Sequence, residues 1–487
     1  MERRGFSPNG LQLSRIGVCR GLRSRQQTLA PGFQPGGTQA HVSSPRRGCE
    51  EIGRAVEIVG WSYDSKMSEK HGGAARIVEV NRLQTRLVPM DLEGLLPADH
   101  QARAVWAFVA RLDLSEFHER IKSREGRAGR PAIDPQILLG LWIMAMLDGV
   151  GAAREIERLC DYHLAYQWMC GGVHVNHHTL SDFRNLSSDQ LNGLLTQTVS
   201  ALLCEGLVEM NRVAQDGMKV RASAGSSSFR RRARLEAFKK IAREQVEILN
   251  QELEDNSGAA SKREQSARKR SAENREQRVE RALEELTKAE GRKRSKDPKR
   301  NKKEKRSSVT DPESRVMKMA DGGFRPAYNV HLATVTEANV VVAVEVNNEG
   351  TDQTSMVSLA EQIEKRHQAR PTEWLADNGC TSLENINAMD KRGCKVYAPL
   401  KVSKATEPKP AYRRKDTRAV RDWRERMETN EAKAIYKQRG QTAEWVNAQF
   451  RNQGLIRILV RSAKKALAVV LLHAITHNMR RGWALQA

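Results

Sequence analysis

The sequence has no apolar run long enough to span a membrane. About 20 consecutive apolar residues are needed, and the longest stretch, "ALAVVLLHAI" near the C-terminus, is short and contains His473. The N-terminus is basic but lacks the apolar core of a secretory signal. The chain is therefore expected in the cytoplasm. No CxxC pair occurs among the seven cysteines, Cys19, Cys49, Cys160, Cys170, Cys204, Cys380 and Cys394, and their number is odd. Scattered free thiols fit a reducing compartment and exclude a disulfide framework. The His/Cys-rich neighbourhood of Cys160, His163, Cys170, His174, His177 and His178 has no finger-like spacing. It reads as helix-packing cysteines with histidines at turns or on a DNA backbone. "GGVHVNHH" lacks the lysine of a phosphate loop, and no local Ser/His/Asp arrangement supports acyl transfer. Trp142 and Trp168 read as core residues rather than base-stacking platforms.

Positive charge is abundant. Lys and Arg number 82 against 59 Asp and Glu, a formal net charge of +23, with a sequence pI of about 9.9. Such an excess favours a polyanionic partner, most often nucleic acid. The 487 residues suffice for roughly two to four domains and for a sizeable core.

Residues 1–66 are rich in Gly, Pro, Ser, Gln and Arg without sustained periodicity, which points to a disordered extension. A more ordered pattern follows Met67, a candidate translation start. Residues 67–210 are expected to form an all-α amino-terminal domain that binds DNA. Within it, "DPQILLGLWIMAMLDGV" places Asp134 to cap a helix, Pro135 at its first position and Gly149 at its end. Short helices with tight turns suit either a helix-turn-helix-like unit or a plain bundle. Residues 226–308 are highly charged and poor in aromatics, with helical spacing that predicts a coiled-coil-like hairpin through "NSGAASKREQS". The basic tail of this insertion, "GRKRSKDPKRNKKEKRSS", could follow a DNA backbone or serve as a solvated linker.

Around the insertion, at 211–480, the pattern is that of an α/β domain. A strand at 213–216 precedes two runs, about 325–335 and 339–347, joined by "TEAN" as a hairpin. Helix "QTSMVSLAEQIEKRH", strand "PTEWLADNGC", helix "SLENINAMDKRG", strand "CKVYAPL" and terminal helices follow. This order suits three antiparallel strands followed by parallel ones. Asp216 falls at the end of the first strand, Asp377 at the end of the fourth and Glu444 on a late helix. Parallel strand ends meet at one sheet edge. Three carboxylates there suit Mg²⁺ or Mn²⁺, hard ions that keep open positions for phosphate oxygens. Two such ions about 4 Å apart can promote an in-line phosphoryl transfer.

Several segments resemble the DDE transposases of bacterial insertion sequences, whose catalytic domain is ribonuclease-H-like. "RPAIDPQILLGLWIMAMLDGVGAAREIERLCDYHLAYQWMCGG" and "HHTLSDFRN" resemble the group's amino-terminal domain. "DGMKVRASAG", "LADNGCTSLENI" and "YKQRGQTAEWVNAQFR" resemble the motifs around the three acids. The resemblance implies a fold of mixed sheet with flanking helices, and a metal-binding triad of Asp216, Asp377 and Glu444. Tyr436 and Arg439 match the Tyr–Arg–Glu–Lys signature upstream of the acid, with four residues between Arg439 and Glu444 where the commonly stated pattern has three. Arg451 stands where many members have Lys. Lys219 and Arg221 are further candidates for phosphate contacts. The implied activity is cleavage at terminal inverted repeats of double-stranded DNA and joining of the 3′-hydroxyls to target DNA, by a homo-oligomer. A metal-dependent nuclease without strand transfer and a non-catalytic, transposase-derived DNA-binding protein are the alternatives.

Overall fold

The computed structural model describes residues 91–126, 130–255, 259–291, 304–400 and 416–487. The expected extension 1–66 lies outside the described residues, as do most of the basic run 291–308 and of the connection 401–418. The described chain begins with short helices: α1 (Gln101–Ala110), α2 (Ser115–Glu119), α3 (Pro135–Leu147), α4 (Ala153–Tyr162), α5 (Leu164–Cys170), α6 (His177–Leu186) and α7 (Ser188–Cys204). The side chain of Asp134 accepts from the Gln136 amide at 2.8 Å, and Pro135 opens α3. This helix is buried on every side from Leu138 to Met146, as expected of a helix that is apolar all round. It ends before Gly149, whose φ of 72° lies in the left-handed region that glycine adopts without steric cost.

Strand β1 (Arg212–Arg221) leads to β2 (Phe229–Arg230), then to α8 (Arg232–Asp255), α9 (Ala259–Gly291) and β3 (Ser307–Ser308). The two helices form the expected hairpin. Their seam is a small apolar cluster around Leu235, Ala282 and Leu286, flanked by ion pairs such as Lys239–Glu280 at 2.9 Å and Arg243–Glu276 at 3.0 Å. β2 and β3 pair antiparallel and the Ser228 and Ser308 hydroxyls meet at 2.7 Å. The chain thus leaves for the insertion and returns from it at one point.

After the insertion the chain continues through β4 (Arg315–Lys318), β5 (Phe324–Val335), β6 (Val341–Asn347), α10 (Ser355–His367), β7 (Glu373–Leu375), α11 (Leu383–Asp390) and β8 (Lys395–Tyr397). Helices α12 (Arg418–Glu428), α13 (Asn430–Arg439), α14 (Trp445–Asn452) and α15 (Ala463–Gln486) complete it. β5 lies antiparallel to both β1 and β6, whereas β7 and β8 run parallel to β1. The order β6–β5–β1–β7–β8 is the ribonuclease-H-like mixed sheet, and the short β4 continues along the β5 edge that β6 occupies.

One expectation needs correcting. Asp216 does not end its strand: β1 runs on to Arg221, because the long β5 pairs with it from Val213↔Val335 to Arg221↔Ala327. The β2–β3 ladder also carried no clear sequence signal.

The run "ALAVVLLHAI" belongs to α15, whose residues are buried almost continuously from Ala466 to Met479. Asn478 exchanges two hydrogen bonds with the Val341 backbone, at 2.8 and 2.7 Å, which ties the helix to β6. A single apolar core joins the helical segment to the sheet. Among the described residues no helix is long and apolar enough to cross a membrane.

Candidate active site

β1 lies between β5 and β7, so Asp216 sits at the centre of the sheet. Parallel pairing of Ala214 with Leu375 sends the two chains forward together, and two residues beyond that pair stand Asp216 and Asp377. The Asp377 turn is fixed locally. Its Oδ1 accepts from the Cys380 amide at 2.9 Å, and its carbonyl accepts from the Thr381 hydroxyl at 2.8 Å.

Glu444 arrives from α13–α14. Between these two α-helices, Gly440–Glu444 forms a π-helical turn packed against β1 and β5. Such a turn accommodates one extra residue within a continuous helix, which accounts for the fourth residue between Arg439 and Glu444. Despite that insertion, Arg439 Nη2 donates to Glu444 Oε1 at 3.2 Å. Its Nη1 faces Asp216 Oδ1 at 3.4 Å, without hydrogen-bond geometry. Arg439 also lies over the Tyr436 ring, 5.9 Å from its centroid. Sequence-expected residues are thus brought together in one cluster: Asp216, Tyr436, Arg439 and Glu444.

Burial raises the Asp216 carboxyl above the usual carboxylate range. Arg439 opposes that shift, while Asp377 and Glu444 add to it. Burial alone would lower the Arg439 guanidinium, but Asp216 and Tyr436 outweigh it and the net direction is up. Arg439 therefore remains a cation between two acids.

Other expected residues stand apart. Successive strand residues face opposite sides of a sheet, so Lys219 and Arg221 project from the face opposite Asp216. Arg451 is exposed on α14, seven residues, or about two turns, beyond Glu444. Trp142 is fully buried, with its indole N–H donating to the Leu180 carbonyl at 3.0 Å. His163 caps α5 through the Ala165 amide, and His177 meets Glu157 at 2.7 Å.

Asn447, Asp352, Asn329 and His331, none of them marked out by the sequence pattern, also stand near the carboxylates. Asn447, buried on α14, donates from Nδ2 to Asp216 Oδ2 at 2.8 Å. It follows Glu444 by three residues, a spacing that places side chains on one helix face. Asp352 lies in the loop after β6, a strand that runs in the same direction as β1, so its loop opens at the same sheet edge. Asn329 holds Asp352 Oδ1 at 2.6 Å. A β-carbon at Gly379 would stand 3.1 Å from both Asp377 carboxylate oxygens and 3.4 Å from Asp352 Oδ2. The two carboxylates therefore flank one glycine. A β-carbon at Gly217 would stand 2.9 Å from Asp352 Oδ1 and 3.0 Å from the His331 ring. His331 is fully buried, and neither ring nitrogen has a hydrogen-bond partner among the described residues. Burial lowers its pKa and Asp352 opposes the shift.

Among the described residues no three His, Cys, Asp or Glu side chains converge tightly enough to hold a metal ion without adjustment. The donor chemistry nonetheless fits a hard divalent ion, since Asp216, Asp377 and Glu444 supply only carboxylate oxygens. Arg439 marks the space between two of them as one that accommodates positive charge.

Comparison with known proteins bears on this arrangement. Residues 90–186 match the family model described as Transposase domain (DUF772), and residues 299–479 match that of the Transposase DDE domain. The second match contains Asp377 and Glu444, whereas Asp216 lies in neither matched segment. No curated protein and no solved structure matches the chain.

Proposed function

Since the chain belongs to the DDE transposases of insertion-sequence type, we propose that it cuts DNA at the terminal inverted repeats of its element and joins the freed ends to target DNA. In the first step a water oxygen attacks the scissile phosphorus and the bond to the 3′-oxygen breaks. In the second, the resulting 3′-hydroxyl attacks a target phosphorus and displaces another 3′-oxygen. Mg²⁺ or Mn²⁺ held by Asp216, Asp377 and Glu444 would supply Lewis-acid activation of the attacking oxygen and stabilisation of the leaving one.

The chain's own groups do the positioning. Asn447 fixes the orientation of the Asp216 carboxylate through its 2.8 Å hydrogen bond. Gly379 leaves the Asp377 oxygens accessible. Arg439 presents a planar fork suited to phosphate oxygens, steadied by the Tyr436 ring. Arg451, Lys219 and Arg221 are proposed to contact the DNA backbone further out. Two DNA ends require at least two copies of the chain, so a homo-oligomer assembled on DNA is part of the reading.

The observation that carries this proposal is the meeting of Asp216 and Glu444 on one guanidinium, although they come from a central strand and a helix 228 residues later. The test is end cleavage and strand transfer with Mg²⁺, comparing wild type with Asp377→Ala and Glu444→Ala. Both variants should lose cleavage and joining together while still binding DNA. Normal cleavage by both would remove the triad assignment.

A further inference from the structure

A cleft of about 680 Å³ separates the helical insertion from the catalytic core. One wall is α9, which contributes Arg270, Arg278 and Arg281. The other is the loop at 310–313 together with the start of α15, which contributes Arg461 and Lys465. Positions 270, 274, 278 and 281 recur at helical spacing and so form one stripe along α9. From Arg270 to Arg281 the stripe extends about 16 Å at 1.5 Å per residue. That is the axial rise of roughly five base pairs of duplex.

Several hairpin cations outside the cleft pair with acids: Lys239 with Glu280, Arg243 with Glu276, Arg268 with Glu264 and Lys269 with Glu273. The cleft-lining Arg270, Arg278, Arg281, Arg461 and Lys465 enter no ion pair among the described residues. The cleft's two acids, Asp311 and Glu313, also hydrogen-bond into the core, and Arg461 attracts Asp311. Asp311 Oδ1 accepts from the Tyr328 hydroxyl at 2.8 Å and the Ser462 amide at 3.0 Å, and Glu313 Oε2 accepts from the Ala463 amide at 2.8 Å. These bonds fasten the N-terminus of α15 and hold Ser462 at a φ of 83°, in the left-handed region where a serine is strained. Arg278 faces like charge: burial lowers its pKa first, and Arg461 across the cleft and Arg275 on its own helix lower it further. A cleft in which five cations face two acids, with Arg278 and Arg461 repelling each other, is complementary to a row of phosphates.

We propose that this cleft is a second DNA-binding site, in which the insertion hairpin and the start of α15 grip the backbone of a duplex away from the catalytic carboxylates. The proposal rests on the transposase reading for the identity of its polyanion. It explains why the charged insertion is there, with α9 forming one jaw of a backbone clamp.

The test is duplex binding by the full-length chain, measured by fluorescence anisotropy over a range of salt concentrations, with a 40-base-pair DNA of random sequence and with EDTA present so that no cutting occurs. The cleft variant is Arg278→Glu with Arg461→Glu. A charge-matched control, Lys240→Glu with Arg268→Glu, alters hairpin residues that pair with neighbouring acids. Arg278→Gln with Arg461→Gln serves if the reversals misfold, as judged by melting. Each phosphate contact contributes about 0.9 to the slope of log K against log salt. The cleft variant should lose about two units of slope and bind at least about tenfold more weakly at 0.1 M salt, while the control keeps the wild-type slope. Equal behaviour of cleft variant and control, with wild type binding DNA well, overturns the clamp alone. Binding of a polyglutamate peptide through these arginines, with DNA affinity unchanged, also overturns it. A wild type that binds no DNA overturns the transposase reading as well.

Discussion

Gly217→Ala tests whether the neighbourhood of the carboxylates is as tightly built as its geometry indicates. The new methyl would stand 2.9 Å from Asp352 Oδ1, closer than a β-carbon tolerates, and 3.0 Å from two atoms of the His331 ring, a contact that requires the ring to give by a few tenths of an ångström. Neither neighbour yields easily. His331 is fully buried on the paired strand, directly opposite Gly217, and Asp352 is held by Asn329 at 2.6 Å. Overpacking of this kind costs about 1–3 kcal/mol. Alanine also restricts the unfolded chain, which returns about 0.4–1 kcal/mol. The net expectation is a loss of about 1–2 kcal/mol, read as a Tm a few degrees lower. Because Asp352 borders the Asp377 turn through Gly379, cleavage should also fall, by about tenfold to a hundredfold for a displacement near 1 Å. The paired control is Gly193→Ala. Gly193 lies within α7 and a β-carbon there would meet nothing within 4 Å, so helix propensity alone should stabilise the chain, by up to about 1 kcal/mol. Melting curves and cleavage rates for the two variants give the answer. A Gly217→Ala protein as stable and as active as wild type would refute the reasoning.

Asn447→Ala should leave Asp216 Oδ2 without its buried donor and slow cleavage by about 10- to 100-fold. Mn²⁺ affinity followed by electron paramagnetic resonance should weaken in parallel, and an unchanged affinity would count against the orienting role. His473 and His477 on α15 are pushed down by burial to about 3 and about 4. The unfolded chain takes up protons on these residues near 6.5, so their contribution is present above that value and is lost as pH falls toward the folded values. Each should remove about 2 kcal/mol of stability by pH 5. Urea titrations of His473→Leu should show a flatter decline between pH 6.5 and 5, and an unaltered decline would show that His473 is already charged in the folded chain.

The readable part of this protein was the part written in local pattern. Asp134, Pro135 and Gly149 bound α3 because capping, a preset φ and a left-handed turn are each properties of single residues. The α8–α9 hairpin was legible from its helical spacing, and the hairpin of β5 and β6 from alternation around "TEAN". The extent of β1 was not. Gly217 and two basic residues weaken its strand pattern, and the partner that extends it lies beyond an insertion of about eighty residues. The departure in spacing between Arg439 and Glu444 was visible, but its resolution by a π-helical turn needs three dimensions. Asp352 and Asn447 were missed for different reasons. Asn447 was within reach, three residues after Glu444 on the same helix. Asp352 lies in a loop, and its significance emerges only when Gly217 and Gly379 close around it.

The two-residue ladder of β2 and β3 has a consequence for how the chain reaches this structure. Strands β1 and β5 must find each other across more than a hundred residues, and such separations slow folding because loop closure opposes the pairing before contacts reward it. Residues 228 and 308 are joined by hydroxyls 2.7 Å apart, with an antiparallel hairpin between them. Once α8 and α9 zip up from local contacts, the distance the sheet must bridge contracts to a short detour. The insertion then acts in folding as a spacer that shortens itself, allowing the central strand to meet its neighbour early.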